Sequence, residues 1–358
     1  MDQLINGLYA IPLAGIVFQF VGYLIVVLPP NAAIILGSST PLALAALCGV
    51  LCERSGVVNI GIEGIMLSAA FTGWIVGVVL APSLGTEPGP FFGATPALII
   101  ALVCAVLAAV AVSAIHAWIS ISVRADQIIS GTIINIAAFG LTAYVYTLVS
   151  RNSPATAGSF TAFVPPQELT GLPVIGWVIN MFLGQGPIAM SMIVIILVVQ
   201  VMLFRSRWGL RTRAVGEHPK AAETVGINVI RLRYRNVMLA GIAAGLGGAY
   251  LSMEATNSFQ AGMTGGRGFI GLAAMIVGRW TPLGAFGAAL LFSSSLVVGQ
   301  NIKFAPPPGS LGEILGTIPG QFYDALPYLV TIVILAGFVG RSIPPAADGQ
   351  PYERETAT

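Results

Sequence analysis

Apolar runs of about 20 residues, long enough to cross a lipid bilayer as a helix, follow one another along almost the whole chain. They are continuous, whereas apolar and polar residues alternate in a strand with only one buried face. Because helices satisfy all their backbone hydrogen bonds internally, this pattern predicts an all-α polytopic membrane protein. Charged residues make up only 8% of the chain, against about 25% in soluble domains, which excludes a water-soluble fold.

Breaks rich in proline, glycine and polar residues divide the apolar sequence into predicted spans. The run at 267–278 is too short to cross a membrane alone, which predicts a broken or re-entrant helix and a total of nine or ten transmembrane helices. The first run lacks a preceding basic segment and a cleavage pattern, so we expect a retained span rather than a signal peptide. The predicted spans lie near 9–28, 35–51, 57–80, 95–119, 127–149, 186–204, 236–253, 267–278, 282–300 and 325–341.

Basic residues concentrate in one segment, since eight of the sixteen lie between positions 205 and 235. Loops rich in Lys and Arg remain in the cytoplasm, so this segment is expected on the cytoplasmic side. Counting spans outward places both termini in the cytoplasm. The same count assigns Arg54, Arg124, Arg279 and Arg341 to the cytoplasm and the Pro/Gly-rich loops 81–94, 150–186 and 301–323 to the outside.

The basic segment contains residues typical of the start and the end of a short helix. Pro219 suits a first helical turn, Glu217 or a nearby polar group can cap it, and Gly226 suits a left-handed residue at its end. We therefore predict a helix over 220–225, with Ala221 and Ala222 on one face. Such a helix can dock into a groove of a soluble partner. The alternative is a solvated loop that only sets topology, and the residues alone leave both open.

Three sequence motifs carry a resemblance to a known family. They are ERSGVVNIGIEGIML at 53–67, WGLRTRAVGEHPKAAETVGI at 208–227, and 241–251 followed by TGGRGFIGLAA at 264–274 and GRWTP at 278–282. Together they resemble the permeases of ABC importers for branched-chain amino acids, simple sugars and nucleosides, most closely the nucleoside and simple-sugar permeases. The extra span at 9–28 departs from the shorter members of that subgroup.

The resemblance implies a non-catalytic, multi-pass subunit of the bacterial cytoplasmic membrane. Its implied partners are two ABC ATPase subunits or a fused double ATPase, a second and different permease, and an extracytoplasmic substrate-binding lipoprotein, with no nucleic acid polymer. The chain has no GxxxxGK[S/T] phosphate loop, so ATP and Mg²⁺ are expected on a partner and no cofactor on this chain. The implied ATPase-coupling residues are Glu217, His218, Pro219, Ala221, Ala222 and Gly226.

Three parts are predicted along the chain. Residues 1–34 form an N-terminal span and linker, 35–341 form the permease domain with the coupling segment 205–235, and 342–358 form a disordered cytoplasmic tail. A faint similarity links NIGIEGIM at 59–66 with GFIGLAAM at 268–275, two runs that cross in opposite directions. This is typical of an inverted repeat, and ordinary packing of Gly/Ala-rich helices explains it equally well.

Polar side chains within spans are costly in lipid and mark either a solute path or a structural pair. Glu63 can accept hydrogen bonds from sugar hydroxyls or base amines, or it can pair with Arg54. Arg267 can pair with Glu254 to hold a broken helix, and polar groups on the fifth span can join helices. The candidate pathway residues are Asn59, Glu63, Gln127, Ser130, Asn135, Glu254, Asn257 and Arg267.

We interpret the chain as an ABC permease for nucleosides or related simple sugars. One alternative is an ion-coupled secondary transporter in which Glu63 or Glu254 carries a coupling proton. Another is an ABC permease for ribose-like sugars or branched-chain amino acids. Neither histidine has metal-ligand spacing and no Ser/His/Asp set is evident, so no metal site and no catalytic residues are predicted.

Overall fold

The computed structural model describes residues 12–85, 87–150, 158–172, 175–307, 309–337 and 342–353. This part of the chain is helical and contains no strand, which confirms the predicted fold class. The helices are α1 (Pro12–Val27), α2 (Ala32–Glu53), α3 (Ile62–Leu84), α4 (Pro96–Ala117), α5 (Gln127–Ser150), α6 (Gln167–Thr170), α7 (Ile175–Leu183), α8 (Pro187–Arg205), α9 (Arg207–Glu217), α10 (Pro219–Thr224), α11 (Val229–Tyr250), α12 (Arg267–Val277), α13 (Pro282–Phe304), α14 (Ser310–Gly316), α15 (Gly320–Asp324) and α16 (Leu326–Gly337). Single π-helical turns extend α4 over Trp118–Ser122 and α11 over Leu251–Ala255.

The predicted spans are confirmed as helices. Seven of those described (α2, α3, α4, α5, α8, α11 and α13) are long and apolar enough to cross a membrane. At 11 residues, α12 is the short helix expected near 267–278. Positions 9–11 of the first predicted span and 338–341 of the last lie outside the described residues.

One predicted boundary is wrong in a way that matters for the site. α11 begins at Val229, about two turns before the predicted start at 236. The expectation followed apolar residues, but Arg231, Arg233 and Arg235 continue the same helix beyond its apolar part. α9 and α10 fill most of the remaining segment, so little of it is irregular.

The described residues fall into two compact units. The larger comprises the described parts of Ser39–Phe163, Gly186–Ala289 and Val339–Thr358. In it, α3, α4 and α11 pack against one another. Gly241 and Gly245 of α11 lie against α4, and Gly248 lies against the backbone of Met66 in α3. Small residues at helical spacing permit this close approach, which is a common way for helices to associate in membranes.

The smaller unit comprises the described parts of Met1–Ser38, Val164–Gln185 and Leu290–Phe338. Its core contains Val298, Ile302 and Tyr323, which pack with apolar residues of α1. The Tyr323 hydroxyl donates to the carbonyl of Leu315 at 2.6 Å, and this bond ties α15 to α14. Two of the predicted outer loops therefore contain short helices, α6 and α7 in one and α14 and α15 in the other.

Candidate functional site

The short helix predicted in the basic segment is present as α10. It begins at Pro219, which needs no backbone N–H partner in a first turn. It ends before Gly226, whose φ of 84° is left-handed and costs glycine little. The Glu217 side chain does not cap it, contrary to one expectation, because its carboxylate accepts from the backbone N–H of Ala346 at 3.1 Å.

A chain of side-chain hydrogen bonds fixes α9 to α11. The indole N–H of Trp208 donates to Asn236 Oδ1 at 3.1 Å, and Asn236 Nδ2 donates to Thr212 Oγ1 at 3.1 Å. Thr212 and Asn236 are buried, so breaking this chain would leave polar groups unpaired. These bonds therefore attach α9, the first helix of the coupling segment, to the spanning helix α11.

α10 has an inner and an outer face. Ala222 is 4% exposed and packs with Val215, Val229 and Tyr352. Ala221 and Lys220 are exposed. The two neighbouring alanines were predicted to form one face, but Ala222 anchors the helix while Ala221 remains open to a partner.

Residues 342–353, which the sequence predicts to be disordered, instead pack on the coupling segment. The backbone N–H of Ala347 donates to Gly216 O at 2.9 Å, and the Tyr352 hydroxyl hydrogen-bonds the Glu223 carboxylate. Glu353 forms an ion pair with Arg124 at 2.8 Å. Tyr352 packs against apolar residues of the coupling segment, and Glu353 pairs with an arginine. The composition of the tail alone does not reveal these partners. Positions 354–358 lie outside the described residues.

The tail and α10 together enclose a groove of about 840 Å³. One wall is built from the coupling segment, including His218, Pro219 and Ala221. The other wall comes from the tail, including Pro351 and Tyr352. A partner that docks on α10 would therefore meet both parts of the chain.

Buried charged groups lie beneath the tail. Fully buried Arg233 donates from Nε to Ser55 O at 3.1 Å and from Nη1 to Gln350 O at 3.0 Å. Burial raises the pKa of Asp348 to about 6, while its hydrogen bond to Glu53 and the charge of Arg233 act in the opposite direction. Two carboxyl groups share a hydrogen bond only when one carries a proton, so the contact between the tail and α2 depends on pH.

Basic residues that are distant in sequence meet at one end of the larger unit, here called the basic face. Arg54 donates to the carbonyl of Arg279 at 3.2 Å. The guanidinium carbons of Arg54 and Arg213 lie 5.9 Å and 5.2 Å from the ring centroid of Phe204. Burial lowers the pKa of Arg54. Its location in the cytoplasm stays a prediction, and Arg341 lies outside the described residues.

Side chains from α4 and α5 satisfy the non-helical backbone at 54–61, between α2 and α3. Gln127 Oε1 accepts from Val58 N–H at 2.7 Å. The imidazole of His116 bridges Val58 O and Ser130 Oγ, both at 3.0 Å. Irregular backbone within a membrane protein requires such partners, so Gln127, Ser130 and His116 have a structural use.

Two asparagines bind the backbone at the start of α3. Asn135 accepts from Gly64 N–H at 2.7 Å and donates to Ile60 O at 3.0 Å. Asn59 Oδ1 accepts from Gly61 N–H at 3.0 Å. The broken entry to α3 is therefore held by side chains from two regions of the chain.

Glu63 caps α12. Its Oε1 accepts from Gly266 N–H at 2.7 Å and its Oε2 from Gly268 N–H at 2.6 Å. A carboxylate is favourable there because it satisfies unpaired amides and faces the positive end of the helix dipole. A Cβ on Gly268 would lie 2.7 Å from the backbone nitrogen of Glu63, so only glycine fits. The ion pair suggested between Glu63 and Arg54 is not formed, since Arg54 binds backbone carbonyls.

Glu254 has the same arrangement at another helix. Its carboxylate accepts from Ile188 N–H at 2.7 Å and Ala189 N–H at 3.2 Å, at the start of α8. Arg267 donates to the carbonyls of Met263 and Thr264 at 3.1 Å and 3.2 Å. Each residue thus has backbone partners, and the suggested hydrogen-bonded pair between Glu254 and Arg267 is not formed.

The eight predicted pathway residues do not converge on one point. Asn59, Gln127, Ser130 and Asn135 surround the entry to α3, whereas Glu254, in the π-helical turn that extends α11, binds the start of α8. Asn257 has a left-handed φ of 52° in the turn after α11.

Sequence reasoning missed two features: the packed tail and an aromatic cluster in the larger unit. Phe71, Trp74, Tyr146 and Phe259 form the cluster, with ring centroids 5.2 to 6.1 Å apart. The aromatic spacing on α3, at positions 71 and 74, was the available signal, but its partners are far away in sequence.

A bundle of apolar spanning helices, in which carboxylates bind the starts of α8 and α12 and the short helix α10 lies on the basic face, is the architecture expected of a membrane permease. Residues 31–335 match the family described as branched-chain amino acid transport system, permease component, and the chain belongs to this family. It is therefore a multi-pass protein of the cytoplasmic membrane and the permease component of a larger transport system. The resemblance identified in the sequence is confirmed.

Three relatives match nearly the whole chain. The guanosine ABC transporter permease protein NupQ of Bacillus subtilis is 38% identical over 317 residues, which cover 88% of this chain and 93% of the relative. The nucleoside ABC transporter permease protein NupC of Lactococcus lactis is 36% identical over 318 residues, with coverage of 88% and 93%. The putative glucose ABC transporter permease protein TsgC13 of Haloferax volcanii is 32% identical over 336 residues, with coverage of 89% and 95%. No solved structure gives a significant match.

Proposed function

We propose that this chain is the permease subunit of an ABC importer that brings nucleosides into the cell by alternating access. The observation that carries the proposal is the similarity to NupQ and NupC over 88% of the chain, which includes the coupling segment and the broken helices. The glucose relative is less similar, at 32% identity, and makes simple sugars the second candidate.

α10 is the proposed docking element for a separate ATPase. Its outer face presents Lys220 and Ala221, while Ala222 and Tyr352 support it from within. A short helix that packs against the rest of the chain transmits a displacement better than a free loop, because the residues it packs against must move with it. In this proposal the partner binds ATP and Mg²⁺, and no residue of this chain takes part in hydrolysis.

The complete importer is proposed to contain two ATPase subunits or a fused double ATPase, a second permease and an extracytoplasmic substrate-binding lipoprotein. Asn59 and Ser130 form hydrogen bonds within this chain, whereas Gln127 Nε2 is buried without a hydrogen-bond partner, so Gln127 stays a proposed pathway residue. The partly exposed residues Glu63, Asn135, Glu254, Asn257 and Arg267 remain proposed for the pathway.

Substrate competition tests the proposed solute. Uptake of labelled guanosine is measured in cells that carry the complete importer, with unlabelled nucleosides, glucose or ribose as competitors. We expect nucleosides to compete and both sugars to have no effect at the same concentration. Stronger competition by glucose than by nucleosides would instead assign the chain to simple-sugar transport.

A charge placed on the outer face of α10 tests the docking element. Ala221→Glu should abolish both uptake and co-purification of the ATPase while the chain still inserts into the membrane. Ser83→Glu adds the same charge at an exposed position in the last turn of α3 and should change neither. An ATPase that still co-purifies with Ala221→Glu would refute docking at α10. Uptake by the chain alone, driven by an ion gradient, would establish a secondary transporter instead.

A further inference from the structure

A second groove, with a volume of about 800 Å³, opens between α4, α9, α11 and the loop 225–228 that joins α10 to α11. We call it the arginine groove, because Arg211, Arg231 and Arg235 line it. All three arginines are exposed, and the lining contains no acidic side chain. The groove is therefore strongly basic and open to a ligand.

The arrangement of the arginines is unfavourable without an anion. Arg231 and Arg235 lie one turn apart on α11, where two like charges repel each other. Elsewhere in the larger unit the tail supplies acidic partners, since Glu353 forms an ion pair with Arg124 and the carboxylate of Asp348 attracts the buried Arg233. The lining of the arginine groove contains no carboxylate that could pair with its arginines.

The floor of the groove is apolar and continues along a spanning helix. Met238 and Ile242 follow Arg235 at helical spacing on the same face of α11 and are 40% and 39% exposed. Val110 of α4 lies opposite them. Exposed apolar side chains on a spanning helix face the hydrocarbon of the bilayer.

Two aromatic residues mark where the hydrocarbon ends. The hydroxyl of Tyr234, in the groove, is hydrogen-bonded to Ser122 Oγ at 2.5 Å. Trp118, in the same π-helical turn as Ser122, is exposed. Tyr and Trp concentrate at the boundary between hydrocarbon and headgroups. The arginines of the groove therefore lie at headgroup level, with the apolar floor below them.

We propose that the arginine groove binds an anionic membrane lipid, with the headgroup phosphate on Arg231, Arg235 and Arg211 and an acyl chain along Met238 and Ile242. Guanidinium groups bind phosphate oxygens through paired N–H donors, and basic pockets beside spanning helices are suited to anionic headgroups. The proposal goes beyond solute transport and does not depend on which solute the permease carries.

The test uses the full-length chain purified in a neutral detergent. Native mass spectrometry follows binding of dioleoylphosphatidylglycerol as its concentration is varied, with dioleoylphosphatidylcholine as the zwitterionic comparison. Each arginine at a membrane surface strengthens binding of anionic lipid about fivefold, so Arg231→Gln with Arg235→Gln should weaken phosphatidylglycerol binding about 30-fold. Binding of phosphatidylcholine should stay unchanged.

Arg205→Gln with Arg207→Gln is the matched control, because it removes the same charge from the same segment outside the groove. Wild-type lipid binding by this control supports the proposal, and an equal loss overturns it in favour of general surface charge. Effective competition by glycerol phosphate or inorganic phosphate overturns the lipid assignment in favour of a soluble anion. Loss of ATPase co-purification by the groove variant, with unchanged lipid binding, assigns the groove to a protein partner.

The groove variant is itself expected to fold, because Arg231 and Arg235 are exposed. Thermal unfolding in detergent without added lipid checks this, and the variant should match the wild type. A second variant, Ile242→Asn, keeps all three arginines and makes the floor polar. It should weaken phosphatidylglycerol binding, and unchanged binding would overturn the proposed place of the acyl chain.

Discussion

Glu63 illustrates how an intramembrane carboxylate serves the fold. Both of its oxygens accept backbone amides of the turn that leads into α12. Glu254 does the same at the start of α8. The positive ends of the short helix α12 and of the spanning helix α8 thus face carboxylates, which stabilises them in a medium of low dielectric constant.

Glu63→Gln should lower the stability of the protein. The amide oxygen of glutamine can replace one carboxylate oxygen, but its NH₂ group faces a backbone donor and leaves that donor unpaired. Such a buried loss costs about 1 to 3 kcal/mol in the free energy of unfolding. Thermal unfolding in detergent measures it, with Glu87→Gln in the exposed loop after α3 as the control. Loss of uptake with unchanged unfolding would instead indicate contact with the solute.

Local sequence predicted some of these residues better than others. Pro219 and Gly226 act through the conformation of their own backbone, so their roles were readable from the sequence. Asn135 was predicted as a polar pathway candidate, but its partner Gly64 lies 71 positions away. A pairing of that kind depends on how helices pack, and neither periodicity nor composition specifies it.

The tail is the element whose structure differs most from its predicted disorder. Its backbone binds Gly216 and Glu217 at the end of α9, and its Tyr352 joins the apolar contacts of α10. A segment rich in proline and polar residues is disordered only when no neighbouring surface binds it. Here Arg124 and Arg233 on other elements provide that surface.

Attachment of the tail should weaken as pH rises. Asp348 has a pKa raised by burial to about 6, above its value of 3.8 in an unfolded chain. The folded state therefore holds the proton more strongly, and the associated stability is present below pH 3.8 and lost as pH rises through about 6.

Hydrogen exchange of the Ala346 and Ala347 amides, corrected for intrinsic rates, measures this attachment between pH 5 and 7. Protection should fall across the range in the wild type. It should be nearly constant in Asp348→Asn, which cannot titrate but keeps the size of the side chain. An equal fall in both proteins would assign the pH dependence to other groups.

The apolar runs predicted nearly all of the membrane architecture, because helix length and hydrophobicity are set by the bilayer. They missed the first turns of α11, where arginines extend the helix into water, and the short helices outside the bundle. These elements owe their helicity to neighbours and caps instead of to an apolar run.

The orientation predicted from charge can be tested directly. Val225, which is 74% exposed beside α10, should lie in the cytoplasm, and Phe91, which is 79% exposed in the loop after α3, should lie outside. In a background without the three native cysteines, a membrane-impermeant maleimide should label Phe91→Cys in intact cells. Val225→Cys should react only after permeabilisation. The reverse pattern would invert the topology and refute docking of a cytoplasmic ATPase at α10.

Gly216 lies so close to the carbonyl of Arg54 that no side chain fits between them. Arg54 is the first residue of the irregular stretch that leads into α3. Glu63, in the first turn of that helix, accepts hydrogen bonds from the backbone at the start of α12. A push on α9 would therefore pass through the main-chain contact of Gly216 with Arg54 to the start of α3, and from there to α12, where the backbone of Gly268 lies directly against that of Glu63.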